Sequence, residues 1–97
     1  MKHIVLFKFK RNENLKKISK ILIDTYDELK NKHNVIKSYE FKVNCMDLEA
    51  NMDIILFVDL GDSYVLENYI NHPVHKDFVA TLKEEGLTSK SAIDVEN

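Results

Sequence analysis

The stretch Lys2-His3-Ile4-Val5-Leu6-Phe7-Lys8-Phe9-Lys10 is apolar at both sets of alternate positions. Ile4 and Leu6 occupy one set, and Val5, Phe7 and Phe9, with His3, occupy the other. Successive side chains of a strand point to opposite faces, so this pattern predicts a strand buried on two sides. Asp53–Leu60 reads the same way, with Ile54, Leu56, Val58 and Leu60 on one face and Ile55 and Phe57 on the other. Two further segments are apolar on one side only. Ile36–Asn44 sets Tyr39, Phe41 and Val43 against Lys37, Glu40 and Lys42, and Thr88–Glu96 sets Ile93 and Val95 against polar positions that include Lys90, Asp94 and Glu96. Doubly apolar strands belong in the middle of a sheet and half-polar strands at its edges.

Between these strands the apolar period changes to that of a helix. From about Glu13 to His33, Leu15, Ile18, Leu22, Tyr26 and Leu29 recur at steps of three and four. Asn12 or Asn14 suits the start of this helix, and Lys30, Lys32 and His33 suit the negative end of its dipole. Gly61-Asp62-Ser63 reads as a turn and cap before a short helix to about Ile70. Pro73 then forces a break: it pushes His72 out of the helical region and opens a further helix to about Glu85, stopped by Gly86. Strand, helix, strand, strand, helix, strand is the order of an α+β, ferredoxin-like βαββαβ sandwich with an antiparallel sheet, whose first and third strands are central. The helices cover one face of such a sheet. Its other face would stay apolar and open in a monomer, so a homodimer through the sheet face is expected, broken by a charge at Leu6 or Leu56.

The 97 residues suffice for a single domain, 1–97, and about a third of them are Leu, Ile, Val or Phe, well above the disordered range. A net charge of -2 provides no field to recruit nucleic acid or an anionic membrane. Seven basic residues do fall in the first twenty, but Lys16, Lys17 and Lys20 lie on the solvent face of the first helix, without stacking aromatics. The apolar runs Ile4–Phe7 and Ile54–Val58 are too short for a signal peptide or a membrane span, and the lone Cys45 in a polar loop forms no internal bridge. A cytoplasmic location is expected. Two glycines in the whole chain build no phosphate loop, and no cofactor is expected.

Chemistry concentrates around the one proline, in Tyr69-Ile70-Asn71-His72-Pro73-Val74-His75-Lys76-Asp77-Phe78. If Pro73 opens a helix, His75 lies in its first turn, where the dipole disfavours a second positive charge and keeps the imidazole neutral, as a general base must be. Tyr69 offers a hydroxyl to polarise a carbonyl. An architectural reading stands beside this one, in which His75 bonds backbone groups and Tyr69 packs with its hydroxyl wet. Metal binding by His3, His72 and His75 is a further alternative, weakened because an extended His72 points away from His75.

Lys2–Lys10, the block Tyr69-Ile70-x-His72-Pro73-x-His75-x-x-Phe78 and the closing Ile93-Asp94-Val95-Glu96 together resemble the stress-responsive A/B barrel (Dabb) domain family over nearly the whole chain. The resemblance implies a ferredoxin-like protomer forming a dimeric α+β barrel. The family includes plant stress proteins and a plant polyketide cyclase, whose catalytic tyrosine and histidine match Tyr69 and His75. A pocket histidine of that cyclase matches His3 and a pocket tyrosine matches Tyr26, whereas another pocket histidine is replaced here by Ile54. Many members carry an Ile-Pro-Gly-like turn after the first helix, where this chain has Lys32-His33-Asn34-Val35-Ile36. The expectation is a small-molecule pocket between sheet and helices, lined by Val5, Phe7, Tyr26, Phe78 and Leu82, with His3, Tyr69 and His75 at its mouth. There His75 would take a proton α to a carbonyl while Tyr69 steadies the enolate. The alternative is a non-catalytic stress or assembly protein that works through its stable homodimer.

Overall fold

The computed structural model describes residues 1–11, 13–62 and 65–97. Four strands and three helices follow one another as β1 (Lys2–Phe9), α1 (Leu15–Asn31), β2 (Ser38–Val43), β3 (Ile54–Asp59), α2 (Leu66–Asn71), α3 (Pro73–Glu84) and β4 (Leu87–Val95). The strands form one antiparallel sheet in the order β2-β3-β1-β4, so the two doubly apolar strands are indeed central. The fold is the expected ferredoxin-like sandwich. No described helix is long and apolar enough to cross a membrane.

Strand register sorts the side chains. Val5 faces Leu56, His3 faces Val58 and Phe7 faces Ile54, and all six are buried beneath the helices. Against them pack Ile18, Leu22, Tyr26 and Leu29 of α1, Tyr69 of α2, and Phe78 and Leu82 of α3. On the opposite face Ile4 lies between Phe57 and Ile93, and Leu6 lies beside Ile55. These side chains are partly exposed, Ile93 to 60%. One expectation therefore needs correction. Leu56 is 0% exposed and belongs to the helix-facing core, so the partners of Leu6 on the open face are Ile55 and Phe57.

Two junctions depart from the sequence expectation for local reasons. α1 ends two residues before His33, because Lys32 and His33 both donate backbone N–H groups to the Glu28 carbonyl and Asn34 turns the chain at φ 54°. Asparagine tolerates this left-handed conformation nearly as glycine does, so Asn34 makes the turn without an Ile-Pro-Gly sequence. Asn14 sits at the start of α1 but makes no side-chain cap; its carbonyl accepts from Ile18 N at 3.0 Å. The alternative cap Asn12 and the expected cap at Ser63 lie outside the described residues. At the other end of β1, the register with β4 slips between Lys8 and Phe9. The buried carboxylate of Asp53 repairs the slip by accepting the Phe9 N–H at 2.8 Å. Gly86, at φ 97°, ends the turn after α3, and its carbonyl accepts from Lys10 N at 2.8 Å.

Candidate functional site

In an unbroken helix the Val74 N–H would bond the carbonyl of Ile70, four residues earlier. Pro73 prevents this by holding His72 extended, at φ -64° and ψ 135°. The Val74 N–H instead donates to Nδ1 of His72 at 3.1 Å, a side-chain cap on α3. The freed Ile70 carbonyl lies 3.1 Å from Nδ1 of His75. A carbonyl only accepts, so Nδ1 of His75 carries the proton and Nε2 presents a lone pair. The helix break thereby sets the tautomer of His75.

Burial is the main cause that pushes the His75 pKa below its ordinary value of 6.5, and the positive charge of Lys90 and the imidazoles of His3 and His72 add to the shift. The bond to Ile70 opposes it. His75 is thus a neutral imidazole at pH 7, as the sequence suggests, although desolvation rather than the helix dipole leads the shift. Its ring packs on that of Tyr69, with centroids 4.5 Å apart.

Tyr69 lies deeper than a pocket mouth: it is 0% exposed, and its hydroxyl bonds that of Tyr26. Burial raises both phenol pKa values well above 10, so both stay protonated. One hydrogen bond between two hydroxyls uses one of their two protons. Among the described residues the second proton has no acceptor. The edge of His3 meets the Tyr69 ring at 5.7 Å, and Nδ1 of His3 lies 2.5 Å from Oδ1 of Asp94, its register partner on β4. Sequence reading placed Asp94 only as a polar edge position; its role as the partner of His3 depends on the β1–β4 register.

The expected lining divides into two parts. Val5, Phe7, Phe78 and Leu82 are closed core, with the Phe78 ring edge-on to Tyr26 at 5.3 Å and to Phe7 at 6.2 Å. His75 also borders an open cavity of about 340 Å³, lined by Ile70, Lys76, Val79, Ala80, Lys83 and Lys90. That size suits a small organic ligand. The three imidazoles considered for a metal do not converge, because His72 packs on His33 at 4.7 Å and caps Val74. Among the described residues no group of three or more His, Cys, Asp or Glu side chains is placed to hold a metal ion. Cys45 is a free, exposed thiol.

A family model described as the stress responsive A/B barrel domain matches residues 1–97. No curated protein matches the chain in sequence. Among solved structures, the chain is similar to a dimeric protein of unknown function and ferredoxin-like fold from Bacteroides fragilis, with 25% identity and a TM-score of 0.76 over 99% of this chain and 94% of that one. A protein from Arabidopsis thaliana is 26% identical with a TM-score of 0.74, over 99% and 93% of the two chains. A hydroxynitrile lyase from Passiflora edulis shares the fold at 16% identity, with a TM-score of 0.68 over 99% and 94%.

Proposed function

The chain belongs to the stress responsive A/B barrel domain family, and from this premise we propose that it binds a small apolar or aromatic carbonyl compound beside His75 and acts on it by acid–base chemistry. One observation carries the reading: a neutral imidazole, its tautomer fixed by the Ile70 carbonyl, borders a ligand-sized cavity. In this reading Nε2 of His75 takes the proton α to the carbonyl, and the electron pair of the broken C–H bond becomes the enolate. Here the ligand sits in the open cavity, and the buried Tyr26–Tyr69 pair, set in the closed core of Val5, Phe7, Phe78 and Leu82 with His3 beside it, backs the His75 ring and positions it without touching the ligand. Such chemistry resembles that of a polyketide cyclase or a lyase and uses no cofactor.

The working unit in this proposal is a homodimer through the sheet face. The contiguous apolar patch of Ile4, Leu6, Ile55, Phe57 and Ile93 supports it, and the Bacteroides fragilis relative is described as dimeric. The same patch favours the second reading, an assembly protein with no turnover. Titration of aryl ketones such as acetophenone against the protein, followed by the imidazole NMR signals of His75, separates the two. Under the first reading those signals move, and α-proton exchange with solvent is lost in His75→Ala. A panel of ketones that leaves them fixed removes the carbonyl reading and leaves the assembly reading.

A further inference from the structure

The wall of the His75 cavity is apolar at Ile70, Val79 and Ala80 and cationic at Lys76, Lys83 and Lys90. Lys76 and Lys83 lie one heptad apart on the α3 face that also presents Val79 and Ala80. Lys90 reaches the cavity from β4. It is the register partner of Phe7, so it stands on the helix-facing side of the sheet and remains there when the opposite face is covered. Among the described residues no carboxylate pairs with any of the three lysines, so none competes for an anion in the cavity. Three unpaired ammonium groups around one apolar recess repel one another, and an anion placed among them relieves that repulsion.

We propose that the ligand of this cavity is an apolar or aromatic carbonyl compound bearing a carboxylate, with Lys76, Lys83 and Lys90 holding the carboxylate and Ile70, Val79 and Ala80 the apolar body. This assignment rests on the reading of His75 as a base at a ligand cavity and names the substrate class of that site.

The test compares 3-benzoylpropionate with its methyl ester, which share an aryl ketone and an α-methylene group and differ in the anion. Binding is followed by the His75 imidazole signals. The carboxylate binds about tenfold or more tightly than the ester, and each of Lys76→Gln, Lys83→Gln and Lys90→Gln weakens it about two- to fivefold without changing ester binding. The distant Lys16→Gln leaves both unchanged. Raising the ionic strength from about 0.01 M to about 1 M, which shortens the screening length from about 30 Å to about 3 Å, removes most of the preference. Equal affinities for acid and ester, with His75 responding to both, would overturn the carboxylate assignment and leave the carbonyl site standing. An equal loss in Lys16→Gln would overturn it too, by reducing the effect to net charge. If neither compound moves His75, the site reading falls together with it.

Discussion

Nδ1 of His3 and Oδ1 of Asp94 stand 2.5 Å apart because the β1–β4 ladder makes residues 3 and 94 direct neighbours. His3 is 9% exposed, so its ring nitrogen has little water to turn to. Asp94→Ala therefore costs about 1–3 kcal/mol of stability, and Asp94→Asn, which keeps an acceptor, costs less. Urea unfolding at pH 7.5 reads both. An unchanged midpoint in Asp94→Ala would remove this pair from the support of the fold.

Protonation of His75 works against folding. Its pKa is lowered from 6.5 in the folded chain, so below that pH the unfolded state binds more protons than the native state. The stability associated with His75 is complete above pH 6.5 and is lost as the pH falls through the lowered value. Wild-type protein loses stability between pH 7.5 and pH 5, and His75→Gln loses less. Parallel urea curves for the two proteins across this range would contradict the shift.

The buried hydroxyls of Tyr26 and Tyr69 support each other. Tyr26→Phe leaves the Tyr69 hydroxyl without its partner and costs about 1–3 kcal/mol, as does Tyr69→Phe in the converse sense. The double variant costs less than the sum, because neither hydroxyl remains to be left unpaired. Strict additivity in a double-mutant cycle would mean that the two hydroxyls do not interact.

The two sides of β3 separate association from folding. Phe57→Lys, on the open face, gives a folded monomer in sedimentation experiments, with circular dichroism unchanged. Leu56→Ala, one residue away in the core, costs about 2–5 kcal/mol and leaves the association state of the folded fraction as it was. A Phe57→Lys protein that still sediments as a dimer would place the interface elsewhere.

Much of this architecture was legible in the sequence because periodicity reports burial on each face. The doubly apolar β1 and β3 could only be central, and Pro73 could only break a helix. Periodicity does not report which of two apolar faces the helices cover, and for that reason Leu56 was paired with Leu6 in place of Phe57. Contacts between distant residues were equally hidden. Asp94 and Lys90 are ordinary polar residues of an edge strand until the register sets one beside His3 and the other beside the His75 cavity. Tyr69 stands out in the sequence as a candidate side chain, but its depth depends on α2 docking its one buried residue onto Tyr26.

The bond from His75 to the Ile70 carbonyl has an evolutionary consequence. A histidine oriented by an aspartate can lose its orientation through a single codon change in that aspartate. His75 takes its orientation from a peptide group that every residue type at position 70 supplies. The side chains around His75, position 70 included, can therefore change while the imidazole keeps its proton on the same nitrogen. If the proposed function holds, a small scaffold of this kind changes its ligand without resetting the tautomer of His75.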